Sequence, residues 1–180
     1  MTPIVDWQEL DQEKSLPIAT QEILRLVPTF HTECNTRCLV ILPNTVFDTM
    51  MRHLKGDCTV ERIGILTGRP YTKPSGGQLL VCVDAALSVD DIHATDVRVA
   101  IQKSEWKDVW RRLPVTAEIR IIGWYHSHPG HGVFLSATDR ATQSLWFEQE
   151  WKIAIVVDPI RGEYQAFTGA SGTPAPMLFI

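Results

Sequence analysis

The chain has little of what marks several common protein classes. No run of Lys or Arg builds a basic stripe: 17 basic residues stand against 21 acidic ones, for a formal net charge of −4. That argues against nucleic acid as the main partner. No apolar stretch approaches the roughly 20 residues that a helix needs to span a bilayer. The N-terminus lacks the pattern of a secretory signal. The expectation is a soluble, cytoplasmic protein with no membrane partner. Cysteine is scarce, and Cys34, Cys38, Cys58 and Cys82 follow no disulfide-scaffold spacing, so reduced thiols are expected. Internal repeats and low-complexity segments are absent. What remains is ordinary globular material, 180 residues at 44% hydrophobic, enough for one domain with a sizeable core.

Residues 1–33 read as an N-terminal extension broken by Pro3, Pro17 and Pro28, and 34–180 as the functional domain. Arg37–Leu42 reads as a strand. Pro43 opens a helix to about Leu54, with Val46, Phe47, Met50, Met51 and Leu54 at helical spacing. Strands are expected at Glu61–Leu66, Gln78–Val89, Asp96–Ile101, Glu118–His126, Trp151–Val157 and Glu163–Thr168, with helices at Ser104–Leu113 and Ala137–Phe147. Arg69–Gly77 and Gly169–Pro176 read as loops, and Met177–Ile180 as an apolar tail. The mixture suits a central mixed sheet flanked by helices.

The segment Gly123–Asp139, GWYHSHPGHGVFLSATD, is the most informative. It holds His126, His128 and Asp139 as His-x-His, ten residues, Asp. Two imidazoles and a carboxylate are a usual ligand set for a catalytic zinc with its fourth position open. Residues i and i+2 of a strand face the same side, so both rings can address one point. Pro129 and Gly130 then turn the chain. Ser136 reads as a helix N-cap and Asp139 as the N3 residue behind it, so the helix presents the carboxylate from its first turn.

At these residues the chain resembles the JAMM (MPN+) zinc peptidases. Their signature is His-x-His, seven residues, then Ser-x-x-Asp, matched here by His126, His128, Ser136 and Asp139. The family also needs an upstream glutamate in a pattern like Glu-x-x-Gly-x-Leu-x-Gly, present as Glu61, Gly64, Leu66 and Gly68. The resemblance covers roughly residues 35–170. It implies the MPN (JAB1/MPN, cytidine-deaminase-like) fold, an α+β arrangement in an α-β-α stack. It also implies one catalytic Zn2+ on His126, His128 and Asp139, Glu61 as general acid/base, and Ser136 as oxyanion donor.

Each residue has a plainer reading. A lone histidine is more often a packed or solvated group than a ligand, and Glu61 alone would be a strand-start residue. The two motif pieces together favour the metal site. His131 reads as a loop residue, and His31, His53 and His93 as structural or exposed. Trp106, Trp110, Trp146 and Trp151 read as core, while Trp124 shares a strand face with the histidines and either walls the pocket or simply packs. His31, Cys34 and Cys38 suggest a second zinc site but lack a fourth ligand, which favours ordinary thiols.

The resemblance implies a peptidase that cleaves after the C-terminal glycine of ubiquitin or a ubiquitin-like protein, removing it from conjugates or maturing its precursor. Its partners would be that modifier and its conjugates, with an activating partner protein where the active site needs ordering. The segment 69–77 would clamp the modifier tail as an added strand. Lack of long C-terminal docking helices fits a stand-alone enzyme of a bacterial conjugation operon. Two alternatives stay open: a peptidase processing a ubiquitin-like sulfur carrier, and a non-catalytic MPN scaffold subunit.

Overall fold

The computed structural model describes residues 8–9, 37–72, 79–89 and 120–180. In chain order the elements are β1 (Gln8–Glu9), β2 (Cys38–Leu42), α1 (Asn44–Leu54), β3 (Ile63–Thr72), β4 (Leu79–Ser88), β5 (Ile121–Ser127), α2 (Ala137–Trp146), β6 (Ile153–Asp158), β7 (Glu163–Thr168), β8 (Thr173–Ala175) and β9 (Met177–Phe179). The strands form one mixed sheet in the order β8-β7-β6-β5-β3-β4-β2-β9, with β1 beside the far end of β3. β5–β6, β2–β4 and β2–β9 are parallel, and the other pairs are antiparallel. The expected strand at 96–101, helix at 104–113 and most of the N-terminal extension lie outside the described residues.

β6 is buried along its whole length, as its apolar run Ile153–Val157 requires of a central strand covered on both faces. On one face α1 packs Val46, Met50 and Leu54, one per turn, against Val40, Leu66, Val81, Ile122, Tyr125 and Ile155. Pro43 sits at its N-cap, where a missing N–H costs nothing. On the other face α2 and its flanks cover Ile63, Ile65, Trp124, Val156 and Phe167 with Leu135 and Phe147. The result is the expected sheet between helices.

Three segments differ from the sequence reading, the first being Thr173–Ala175, which lies in the expected Gly169–Pro176 loop but is strand β8, paired with β7. Arg69–Thr72 is strand, not loop: β3 runs on through Pro70, which pairs with Val81. Among the described residues nothing pairs with Pro70 on its other side, where β5 ends its pairing at Thr67 and β1 begins at Tyr71, so proline is tolerated there. The apolar tail is strand β9, lying parallel to β2 with Val40 opposite Met177. β8 and β9 are separated only by Pro176, yet one pairs with β7 and the other with β2. The sheet therefore curls until its two ends share one stretch of chain, which covers both edges.

The spaced glycines of the upstream motif are places of close approach. A Cβ on Gly64 would lie 2.1 Å from the Tyr125 ring, and one on Gly68 would lie 2.0 Å from the Cys82 carbonyl oxygen. Gly64 thus lets β3 and β5 close up beside the histidines, with the Tyr125 hydroxyl 2.9 Å from His53 Nδ1.

Candidate metal centre

His126 is the penultimate residue of β5, and His128 follows the strand's last residue, Ser127. Because β3 pairs Leu66 with Gly123 and Thr67 with Ile121, Ile122 is an extra, bulged residue. The bulge places Ile121 and Trp124 in one core cluster and Ile122 in the other, a device common beside functional sites. Trp124 and His126 then share a face, their rings stacked at 4.4 Å and 11°. His128 follows on the same side, its N–H bonded to the Val157 carbonyl at 2.9 Å.

α2 delivers the carboxylate. Ser136 caps it, and the capping box is complete: the Asp139 N–H donates to Ser136 Oγ at 3.2 Å, and the Ser136 N–H donates to Asp139 Oδ2 at 2.7 Å. This fixes Asp139 with Oδ2 directed at the histidines. His126 Nε2 and His128 Nε2 lie 3.2 Å apart, and each is 3.4 Å from Asp139 Oδ2. All three side chains are buried.

The three distances test whether an ion fits. A tetrahedral zinc with N and O ligands at about 2.0–2.1 Å sets its donors roughly 3.3–3.4 Å apart. The observed edges of 3.2, 3.4 and 3.4 Å are those of such a tetrahedron with one corner open. Donor set and spacing therefore fit a metal, and the group can hold one. Electrostatics agree. Burial would raise the Asp139 pKa, but hydrogen bonds with His126, His128 and Ser136 hold its carboxyl well below the usual carboxylate range. Burial opposes protonation of His128, yet Asp139 and Glu61 together raise its pKa. The site is built for positive charge.

Glu61 sits beside the trio, its Oε1 3.8 Å from His128 Nε2 and its side chain 39% exposed. It precedes β3, which starts two residues later than expected. Phe134 leans against the His128 ring at 4.8 Å and is 47% exposed.

Residues 43–167 match the family described as Prok-JAB, prokaryotic homologs of the JAB domain. The chain belongs to the JAB (JAMM/MPN+) domain family. Among curated relatives it is similar to COP9 signalosome complex subunit 5 of Caenorhabditis elegans, 34% identical over 62% of this chain and 30% of that one. It is also similar to the subunit 5 of Eremothecium gossypii, 30% identical over 79% of this chain and 32% of that one. The chain thus spans about a third of the length of these relatives. A solution structure of a protein from Desulfitobacterium hafniense matches at a TM-score of 0.50 and 16% identity, covering 79% of this chain and 92% of that one. That likeness concerns the fold alone.

Within this JAB domain, three supporting residues escaped the sequence reading. Buried Gln143 accepts from Trp124 Nε1 at 2.8 Å and donates to the carbonyls of Phe147, Lys152 and Gly169. It locks the tryptophan that stacks on His126. Its position four residues after Asp139, on the same helix face, was the available signal. Asp158, the last residue of β6, is fully buried. It accepts the N–H groups of Gly130 and Gly132 at 2.9 and 2.8 Å, and those of Ile160 and Arg161 at 3.0 and 3.1 Å. It thereby clamps the loop after His128, whose two glycines have φ of 77° and 84°. Ser127 is the third, and its bonds reach Arg62, the residue between Glu61 and β3.

The second zinc site is not supported. Cys38 is a core residue on β2, its thiol pushed up to about 11 by burial against a weaker opposing bond with Thr168. His31 and Cys34 lie outside the described residues.

Proposed function

We propose that this JAB domain is a zinc-dependent isopeptidase/peptidase that cleaves after the C-terminal glycine of ubiquitin or a ubiquitin-like protein. The observation that carries the reading is the buried trio His126, His128 and Asp139, spaced as three corners of a tetrahedron with Glu61 at its rim. Zinc held there would supply Lewis acidity and a water whose pKa falls to about 7. Glu61, partly solvated and with its Oε1 3.8 Å from His128 Nε2, would take the water's proton and return it to the leaving amine. Ser136 Oγ accepts the Asp139 N–H and so keeps its own O–H proton to donate to the developing oxyanion. One such donor is typically worth about 2.7–4 kcal/mol of transition-state stabilisation. Phe134, exposed beside His128, offers an apolar wall to the substrate.

The substrate class follows from kinship rather than from the trio. The curated relatives are named as subunits of a complex, which supports partner proteins. Among the described residues no helix is long and apolar enough to cross a membrane. The intact donor set speaks against the non-catalytic scaffold alternative. The test is hydrolysis of C-terminal fluorogenic adducts of ubiquitin and several ubiquitin-like proteins by wild type and Glu61→Gln. Cleavage by the wild type alone is expected, with zinc retained in both. Equal cleavage by both would remove Glu61 from the mechanism.

A further inference from the structure

Glu61 stands outside the sheet, so something must hold it against the metal centre. The antiparallel ladder of β3 and β5 pairs Ile63 with His126. One step further on, the Ser127 N–H donates to the Arg62 carbonyl at 3.0 Å. The reciprocal ladder bond would send the Arg62 N–H to the Ser127 carbonyl. Instead it goes to the side-chain Oγ of Ser127, also at 3.0 Å. Here the chain is about to turn away at Pro129, and a hydroxyl continues the ladder where the backbone departs. Both main-chain groups of Arg62 are thus held by Ser127, and the next residue back is Glu61. Ser127 is completely buried, and strand alternation turns it from the face that carries His126 and His128.

We infer that Ser127, the residue between the two histidines, is a positioning residue for Glu61. One tripeptide then fixes both halves of the centre: its imidazoles hold the metal, and its central hydroxyl sets the base beside it. The inference rests on the reading of Glu61 as general base. A base displaced by about 1 Å loses on the order of a hundredfold in rate, so this single bond has leverage out of proportion to its strength.

The experiment compares wild type, Ser127→Ala, Ser127→Thr and Glu61→Gln on the fluorogenic adduct that the wild type cleaves best. Zinc content and hydrogen exchange at the Arg62 amide are measured on the same samples. Ser127→Ala should lower kcat by roughly tenfold to a hundredfold. It should leave KM within about twofold and one zinc bound, and the Arg62 amide should exchange at least about tenfold faster. Ser127→Thr, which keeps the hydroxyl, should restore kcat and protection. Where Ser127→Ala does not retain zinc, Ser127→Thr against Ser127→Val makes the same comparison of hydroxyl with methyl, and equal activity in that pair would overturn the inference. Wild-type kcat in Ser127→Ala beside an inactive Glu61→Gln overturns it alone, as does an Arg62 amide that exchanges in the wild type as fast as a solvent-exposed one. Full activity in Glu61→Gln overturns the functional reading instead, a failure that the exchange measurement registers separately.

Discussion

Replacing Asp158 by Asn is the perturbation whose cost follows most directly from the geometry. The carboxylate accepts four backbone N–H groups, three on Oδ1 and that of Gly132 on Oδ2, and Arg161 lies 3.5 Å away. Asn keeps one oxygen for the three donors but turns an amide N–H2 toward a buried N–H. One bond is lost with its donor stranded, and the others lose charge assistance. Bonds to charged groups are worth about 1.5–3 kcal/mol each, and a stranded donor costs about 1–3 kcal/mol. These terms are not additive, so a net loss of roughly 2–4 kcal/mol is expected. For a chain of this size each kcal/mol moves Tm by about 2–4 °C. The assay is urea denaturation at fixed metal content, with a thermal scan as control. pH gives an independent signature. Burial would raise the Asp158 pKa, but the four N–H groups outweigh it and hold the pKa at about 2. A depressed carboxylate contributes its stability above the unfolded value of about 3.9 and loses it as pH falls through the folded one. The gap between wild type and Asp158→Asn should therefore be full above about pH 4 and narrow toward about pH 2. A variant within about 0.5 kcal/mol of wild type, or a gap that widens in acid, would refute the clamp.

Gln143→Leu should destabilise by about 1–3 kcal/mol, because it strands the Trp124 Nε1–H in the core and removes the side-chain donor shared by the Phe147, Lys152 and Gly169 carbonyls, of which the last two keep a backbone N–H. It should also weaken metal affinity by roughly 10–100-fold through the Trp124–His126 stack, as competition with a chelator would report. Gly64→Ala should cost about 1–3 kcal/mol or more, since its methyl meets the Tyr125 ring; an unchanged urea midpoint would contradict the packing. His126→Ala and Asp139→Asn should each lose the metal, checked by metal content after gel filtration, while Glu61→Gln keeps it.

The three donors were legible because their logic is local. His126 and His128 share a strand face whatever the sheet, and Ser136 with Asp139 announces a capping box within four residues. Glu61 is different. It stands 65 residues before His126, and only the resemblance linked them. The glycines behind it were legible as a pattern, but their cause, the Tyr125 ring and the Cys82 carbonyl, belongs to neighbouring strands. Asp158 and Gln143 have local partners in Ile160, Arg161 and Phe147, but Gly130, Gly132, Trp124, Lys152 and Gly169, which give them their role, are brought close by the fold. Pro70 suggested a loop because proline breaks ladders, and nothing local shows that, among the described residues, only Val81 pairs with it. The C-terminal residues lacked any sign that β2, more than a hundred positions earlier, would pair with them.

The central claim is that the trio holds one zinc on which modifier cleavage depends. Its most direct test is to strip the protein of metal, add zinc stepwise, and follow hydrolysis of the ubiquitin and ubiquitin-like adducts in the same titration. The account expects no cleavage without zinc, a linear rise, and a plateau at one equivalent. Cleavage independent of zinc, or one bound equivalent with every adduct left intact, would contradict it.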